Sequence, residues 1–279
     1  MKVGMTLLVR DEADIVRANI EYHLNNGVDF IIITDNGSLD GTYEICQEYL
    51  NHGVVEIIKE PPFDFSQYSY VSKMANLLSS KYGASWIINS DADEFFVSRS
   101  HNNIKLCLTE VPLEVSVISV SRHDYVPIMA KCDEFLPTDF PYRRAISLAL
   151  SGRPLPPKVV HRCSPNIAVS QGNHSVSGDI LSKVIKGADL EILHFPIRSY
   201  QQFESKVKNG GSGYAQNKKL SENTGYHKRY WYDLLMKDEL HGEFDRFFYS
   251  EEKLENALEQ GSLIYDNYLS SFKPFNLTR

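Results

Sequence analysis

Two carboxylates one residue apart, Asp91 and Asp93, are the side chains of this sequence best placed to do chemistry. They follow Ser85–Ser90, a mostly apolar run bounded by polar residues that predicts a buried strand. Ligands of an open α/β sheet bind beyond the carboxyl ends of its strands. Carboxylate oxygens there suit Mg²⁺ or Mn²⁺, which can in turn hold the phosphates of a nucleotide. A solvated turn is the alternative, because a bare Asp-x-Asp is common, but the Glu94-Phe95-Phe96 that follows favours the metal site.

The composition narrows the class of protein. The chain has 279 residues, of which 42% are hydrophobic and 23% charged, as in ordinary soluble globular proteins. Its net charge of −7 argues against a nucleic-acid surface, which needs clustered Lys and Arg. No apolar run approaches the ~18–20 residues of a membrane span, and the first one ends too early, at Arg10, for a signal peptide. The four cysteines are far apart, so we expect inert thiols in a reduced, cytoplasmic protein.

Strand and helix patterns alternate over the first hundred residues. The strand patterns are Val3–Val9, Val28–Thr34, Val54–Ile58 and the run before Asp91. The helix patterns run from a cap at Asp11 to Leu24, from a cap at Asp40 or Thr42 to Tyr49, and from about Ser69 to Tyr82. This order predicts an α/β fold with a mostly parallel sheet flanked by helices.

The pattern changes after residue 100. Short strands are predicted at Val115–Val120, at Val159, at Ile167–Val169 and at Leu190–Leu193, with loops over 135–157. From Ser199 the chain looks helical, but Asn209–Gly213 contains three glycines and predicts a break, because each Gly costs a helix ~1 kcal/mol relative to Ala. We therefore expect one domain over 1–198 and a helical extension, packed on it, over 199–279.

Asp35 and Asn36 follow the second strand and open the segment Asp35–Thr42. A carboxylate at this point of the sheet can accept a hydrogen bond from a base or a ribose hydroxyl. The alternative is a turn, which Asp and Asn side chains form readily.

Cations and histidines in the second half are further candidates. Alternation along the strand pattern around Val159 puts Lys158 and Arg162 on one side, where two cations would suit a leaving diphosphate. A solvated face explains them equally well. His174 lies in a turn and could contact the acceptor or the diphosphate.

Several segments resemble the GT-A-fold glycosyltransferases, specifically the glycosyltransferase family 2-like group. They are Leu8-Val9-Arg10-Asp11-Glu12-Ala13, Thr34-Asp35-Asn36-Gly37-Ser38-Leu39-Asp40-Gly41-Thr42 and Trp86-Ile87-Ile88-Asn89-Ser90-Asp91-Ala92-Asp93-Glu94-Phe95-Phe96, with later signatures at Lys158–Arg162, Gly172–His174 and His194–Lys206. The resemblance implies a GT-A-like, Rossmann-like fold. It also implies transfer of a sugar, with inversion, from a nucleotide-sugar donor to a glycan or lipid-linked acceptor. Among donors, the resemblance favours a UDP-sugar.

The same resemblance assigns roles to individual residues. It implies a donor pocket lined by Val9, Arg10, Glu12, Asp35, Asn36, Asp91 and Ala92, with Lys73 reaching in from the side. Glu12 could instead complement a helix dipole, and Lys73 could be a solvated lysine. Many GT-A enzymes place a third metal ligand where His194 stands, and an imidazole would favour Mn²⁺ over Mg²⁺. A structural histidine is the alternative.

Direct attack by the acceptor hydroxyl requires a general base. The loop over 124–139 offers four carboxylates: Asp124, Asp133, Glu134 and Asp139. We marginally prefer Asp133 and Glu134. His174 is a further candidate catalytic residue.

Two other functions stay open at this point. The first is a nucleotidyltransferase of similar fold, although Leu8–Glu12 is not the Gly-rich, basic loop that grips a triphosphate. The second is a non-catalytic nucleotide-sugar-binding protein, against which the intact acidic pair argues. The expected cofactor is Mn²⁺ or Mg²⁺. The expected partners are the donor and the acceptor, with peripheral membrane contact possible and neither a transmembrane segment nor nucleic acid.

Overall fold

The computed structural model describes residues 1–60, 67–128, 135–179, 183–216 and 226–272. The strands are β1 Val3–Val9, β2 Phe30–Asp35, β3 Val55–Lys59, β4 Trp86–Asp91, β5 Glu94–Val97, β6 Val117–Asp124, β7 Tyr142–Arg144, β8 Lys158–Arg162, β9 Ala168–Val169, β10 Val176–Ser177, β11 Val184–His194 and β12 Leu263–Tyr265. The helices are α1 Val16–Asn25, α2 Thr42–Gln47, α3 Gln67–Ser80, α4 Ile104–Thr109, α5 Tyr200–Gln216, α6 Tyr226–Met236, α7 Leu240–Asp245 and α8 Glu251–Glu259. None of these helices is both long and apolar enough to cross a membrane.

The chain divides into two compact units. The first comprises residues 1–123, 155–194 and 272–279, and the second comprises residues 124–154 and 195–271. The boundary predicted at residue 198 lies close to the junction after His194. Residues 124–154, which the sequence pattern assigns to the first domain, group with the C-terminal helices.

An eight-stranded sheet in the order β3-β2-β1-β4-β8-β6-β11-β5 organises the first unit. The strands β3, β2, β1 and β4 are parallel, whereas β8 runs antiparallel to β4 and to β6, and β5 runs antiparallel to β11. The predicted α/β fold is confirmed, and each of the four N-terminal strands begins and ends within two residues of its prediction. The register pairs Leu8 with Asp91 and Val9 with Asp35, so the carboxyl ends of β1, β2 and β4 are level.

Helix α3 packs on the parallel strands of the sheet through the apolar residues that its sequence pattern places on one face. Val71, Met74, Ala75 and Leu78 recur with helical spacing and are buried against the strand residues Ile32 and Ile87. The helix therefore covers the sheet beside the strands that end at Asp35 and Asp91.

The predicted cap at Asp11 is wrong, because α1 begins five residues later, at Val16. Asp11 adopts a left-handed backbone with φ 53°, and its Oδ1 accepts from the N–H of Leu39 at 2.7 Å. Asp tolerates this conformation better than most residues. The Asp11 side chain thus forms a hydrogen bond with the loop after β2 and does not cap α1.

The second unit contains β7 paired with β12, and the helices α5 to α8. Aromatic contacts dominate the core between its helices: Phe203 packs against Trp231, Phe244 and Phe247, with ring centroids 5.1, 5.9 and 5.7 Å away. Such pairs add stability beyond their buried area.

The break predicted at Asn209–Gly213 is also wrong, because α5 continues through these residues to Gln216. Tertiary packing outweighs the weak helix propensity. A Cβ atom built on Gly211 would lie 2.4 Å from the Cβ of Tyr232, so only glycine lets α6 approach α5 this closely.

We expect Gly211→Ala to lower the free energy of unfolding by about 1–3 kcal/mol, as other overpacking substitutions do. Gly242→Ala is the matched control, since Gly242 lies in α7 with nothing within 4 Å of its added Cβ. Alanine there should raise the free energy of unfolding by about 0.5–1 kcal/mol through helix propensity. Urea unfolding measures both, and stabilisation by Gly211→Ala would contradict the packing explanation.

Candidate active site

Two loops at the carboxyl ends of β1 and β2 are joined by side-chain hydrogen bonds to main-chain groups. The N–H of Asp11 donates to Ser38 Oγ at 3.1 Å, the N–H of Glu12 to Thr42 Oγ1 at 2.8 Å and the N–H of Ala13 to Asp40 Oδ2 at 2.9 Å. The other oxygen of Asp40 accepts from the N–H and hydroxyl of Thr42 at 3.0 and 2.6 Å. The side chains of Asp, Asn, Ser and Thr readily form hydrogen bonds of this kind with main-chain groups. The polar residues around Ser38 and Asp40 therefore fix the rim of the predicted donor pocket.

Asp35 is buried at the end of β2. Its Oδ2 accepts from the N–H groups of Gly37 and Ser38 at 3.2 and 3.3 Å, which is the predicted turn. Its Oδ1 is buried and has no hydrogen-bond partner within the described part of the chain. An unsatisfied buried acceptor costs about 1–3 kcal/mol, so this oxygen is suited to receive a donor from a ligand.

The other residues of the predicted pocket lie at or just beyond the ends of β1 and β2. The carbonyl of Val9 accepts from the N–H of Asn36 at 3.0 Å, so both residues are held by the main chain. Arg10 is partly buried, with its Nε 3.9 Å from Asp11 Oδ2. Glu12 precedes α1, and its carbonyl accepts from the N–H groups of Ile15 and Val16 at 3.1 and 2.9 Å.

Asn19 of α1 holds the segment that follows β4. Its Nδ2 donates to the carbonyls of Ala92 and Glu94 at 2.9 and 2.8 Å. Ser90 Oγ also donates to the carbonyl of Glu94, at 3.1 Å. Both side chains are buried, so the turn carrying Asp91 and Asp93 is positioned from beneath by fixed groups.

Lys158 is buried between two carboxylates. Its Nζ lies 2.8 Å from Glu94 Oε2 and also donates to Asp91 Oδ2. Glu94 is fully buried and pairs through Oε1 with Arg122 at 3.3 Å, whereas the side chain of Asp91 is 35% exposed. Burial alone lowers the pKa of the Lys158 ammonium, but the charges of Asp91 and Glu94 outweigh it and hold that pKa above the ordinary value. Lys158 is therefore a permanent cation beneath Asp91.

Asp93 and His194 form a second side-chain contact at this edge of the sheet. His194 ends β11 and pairs in register with Glu94 of β5, which brings its Nε2 to 3.6 Å from Asp93 Oδ2. Both side chains are largely buried. A carboxylate and an imidazole at this distance can share one divalent cation, and their chemistry fits Mn²⁺. Asp91 Oδ1 accepts from Asn173 Nδ2 at 3.3 Å, so the third predicted ligand is oriented by other side chains.

His174 lies next to this group through Asn173. Its Nδ1 is 2.9 Å from the carbonyl of Pro157, an acceptor, which assigns the proton to Nδ1. Burial and then the charges of Arg122 and Lys158 lower its pKa, although the Pro157 carbonyl acts against them. Gly172 has φ 74°, and a Cβ there would lie 2.6 Å from His174 Nε2, so glycine makes room for the ring.

The other predicted residues are not brought to Asp91. Arg162 lies at the opposite end of β8, where it pairs with Trp86 in register and stacks on its ring at 4.4 Å. Its guanidinium donates to the carbonyls of Val115 and Pro112 at 2.8 and 3.2 Å. Lys73 pairs with Glu60, just after β3, at 3.1 Å. Asp133 and Glu134 lie outside the described residues.

A comparison with protein families assigns the chain to one of them. The sequence model of glycosyltransferase family 92 matches residues 3–222. The chain belongs to glycosyltransferase family 92. It is a glycosyltransferase, which confirms the class of enzyme that its motifs resemble.

Solved structures similar to this family 92 chain include residues 1–349 of S. aureus TarS in complex with UDP-GlcNAc, at 10% identity over 82% of this chain and 69% of that chain, with a TM-score of 0.46. Glucosyl-3-phosphoglycerate synthase from Mycobacterium tuberculosis, in complex with Mn²⁺, UDP and glucosyl-3-phosphoglycerate, shares 14% identity over 43% of this chain and 44% of that chain, with a TM-score of 0.31. No curated protein matches the family 92 chain in sequence.

Sequence reasoning missed four residues of this candidate site. Glu94, Arg122, Asn19 and Asn173 position Asp91 and its turn. A buried carboxylate directly after Asp91-Ala92-Asp93 was the available signal for Glu94. The others lie on separate elements, and only the fold brings them together.

We expect Lys158→Met to lower the free energy of unfolding by about 3–5 kcal/mol, because it leaves the buried Glu94 with one cation instead of two. Adding Glu94→Gln should recover part of this loss, since the uncompensated charge is then gone. Lys183→Met is the control: Lys183 is exposed and pairs with exposed Glu114. A Lys158→Met variant that unfolds in urea like the Lys183→Met variant would contradict the buried-charge account.

Proposed function

We propose that this family 92 enzyme transfers a sugar from a UDP-sugar, with Mn²⁺ or Mg²⁺, to a hydroxyl of a glycan or lipid-linked acceptor, with inversion at the anomeric carbon. The observation that carries the proposal is the contact between Asp93 Oδ2 and His194 Nε2, at 3.6 Å, two residues after Asp91 at the carboxyl end of β4. These three side chains would hold the cation once Asp91 moves toward the other two, because their ligand atoms do not all lie within 4.8 Å of one another in the described residues. When bound there, it would neutralise charge on the departing diphosphate.

Asp91 is prepared for this role by its neighbours. Lys158 and Asn173 each contact one of its two oxygens, so the carboxylate loses little freedom when it meets a ligand. Preorganised charged groups stabilise a transition state without reorganising during the reaction. Lys158 and Arg122 also keep cations beneath the region where a diphosphate would lie.

The nucleotide would occupy the ends of β1 and β2. Support comes from Asp35, whose buried Oδ1 has no hydrogen-bond partner in the described parts of the chain. A ring N–H of the base or a ribose hydroxyl would satisfy this oxygen. The interlocked loops around Asp11 and Asp40 would keep the pocket open to a flat base, with Val9, Arg10, Glu12 and Asn36 as its walls.

The acceptor hydroxyl must lose its proton during direct attack. His174 is one candidate base: with the proton on Nδ1, its Nε2 carries the lone pair, and its lowered pKa keeps the ring neutral at pH 7. Asp133 and Glu134 remain candidates by sequence alone.

We expect Asp93→Asn to slow sugar transfer, or hydrolysis of the UDP-sugar where the acceptor is unknown, by about 10²-fold or more, as for other lost electrostatic stabilisers. Asp179→Asn removes an exposed carboxylate of the same unit and should leave the rate unchanged. Full activity of the wild-type enzyme in excess chelator would overturn the metal assignment.

For the nucleotide, we expect Asp35→Asn to weaken UDP and UDP-sugar equally, by about 10–100-fold, which corresponds to the ~1.5–3 kcal/mol of a charged hydrogen bond. KM should rise with little change in kcat, because the contact is the same in the ground and transition states. Asp40→Asn is the control, since it makes the same change within the interlocked loops. An equal loss of UDP affinity in both variants, measured by calorimetry, would assign the effect to loop integrity instead.

A further inference from the structure

A second group of metal-ligand side chains lies away from the site at Asp91. His101, Cys107 and Asp189 each offer one ligand atom, and these atoms all lie within 4.8 Å of one another. No other group of three His, Cys, Asp or Glu side chains in the described ranges meets this distance. Asp189 lies in β11, Cys107 in α4 and His101 in the loop between β5 and α4, so the group joins three elements.

The register of β5 and β11 separates this group from the candidate active site. His194 pairs with Glu94 at one end of the two strands, whereas Glu191 pairs with Val97 at the other. Asp189 lies two residues beyond Glu191, at the far end from His194. The two sites share no side chain.

Outer hydrogen bonds orient each ligand atom toward the centre of the group. His101 turns Nδ1 toward Asp189 Oδ2 at 3.2 Å, while its Nε2 lies 3.1 Å from Glu110 Oε1. A carboxylate on the outer nitrogen is the usual way to fix a metal-binding histidine. Asp189 accepts from Ser98 Oγ at 2.6 Å and from Ser100 Oγ at 3.1 Å, which holds its carboxylate in place.

The backbone also bends to place these groups. Ala188 and Asp189 adopt left-handed conformations, with φ 50° and 57°, within β11. The carbonyl of Ala188 accepts from Cys107 Sγ at 2.8 Å. The thiol, the imidazole and the carboxylate therefore lie together beside the middle of β11.

We propose that His101 Nδ1, Cys107 Sγ and the Asp189 carboxylate bind Zn²⁺, with water or Ser98 Oγ as the fourth ligand. Nitrogen, oxygen and thiolate sulfur are the ligands of tetrahedral zinc, at about 2.0–2.3 Å from the metal. Those bond lengths put neighbouring ligand atoms roughly 3.3–3.6 Å apart, so the group needs to contract only slightly from its present span. Mg²⁺ and Mn²⁺ prefer oxygen ligands, which separates this site from the one at Asp93.

Without metal, burial and then the charge of Asp189 raise the pKa of the Cys107 thiol to about 11, so it is protonated at neutral pH. Binding of Zn²⁺ would release this proton to the solvent. The ion would tie β11 to α4 at the edge of the sheet that β5 forms. Its role would be structural, because the ion would cross-link three elements of the first unit: β11, α4 and the loop that carries His101.

Co²⁺, the spectroscopic substitute for Zn²⁺, tests the proposal in the full-length chelator-treated protein. The Asp93–His194 site has no sulfur ligand, so a near-ultraviolet thiolate-to-cobalt charge-transfer band distinguishes the proposed site from that one. We expect this band in the wild type, its displacement by one equivalent of Zn²⁺, and its loss in Cys107→Ser. Cys163→Ser, at a half-buried cysteine outside the group, should keep it.

Asp189→Asn provides a second variant that should fold, because Asp189 is exposed and Asn tolerates its left-handed backbone. Zn²⁺ should raise the Tm of the wild type but not of this variant. Absence of the band in the wild type, or its survival in folded Cys107→Ser, would overturn the proposal. Either result leaves the proposed transfer reaction untouched, since that reaction is measured separately with Asp93→Asn.

Discussion

The buried ammonium of Lys158 is the interaction on which the site depends. A buried charge must be paired, and this one is paired with Asp91 and Glu94 on the turn that follows β4. Because Arg122 shares Glu94, the pairing joins β8 and β6 to β4 and β5, where the parallel half of the sheet meets the antiparallel half. The acidic residues that face the ligand thus owe their positions to cations behind them.

Helix α1 secures the same turn from the other side. Asn19 Nδ2 donates to the carbonyls of Ala92 and Glu94, and His23 Nε2 accepts from the N–H of Phe96 at 3.2 Å. Burial lowers the pKa of His23 to about 4, so the ring stays neutral and keeps this acceptor at physiological pH. The interlocked loops around Asp40 add three further hydrogen bonds at the same edge of the sheet.

The sequence predicted the elements built from local pattern. Strands β1 to β4 and helix α3 follow from apolar periodicity, and the positions of Asp35 and Asp91 follow from where those strands end. Alternation along β8 predicted that Lys158 and Arg162 share one side of the strand. It did not show that four residues of strand, about 13 Å, separate them, which puts Arg162 beside Trp86 instead.

Other features depended on contacts between distant segments. The glycines of α5 have low helix propensity, so the local pattern argues against a helix there. The close contact of Gly211 with Tyr232 of α6 explains why a glycine stands in this helix. Asn173 and His194 reach the site through chain reversals that no local pattern encodes.

The most direct test of the account is the affinity of the wild-type enzyme for UDP, measured by calorimetry with and without Mn²⁺. If Asp91, Asp93 and His194 hold a cation that bridges to the diphosphate, Mn²⁺ should tighten UDP binding at least about tenfold, and UDP should tighten Mn²⁺ binding by the same factor. Uridine, which has no diphosphate, should show no such coupling. Equal UDP affinity in Mn²⁺ and in chelator would contradict the central claim.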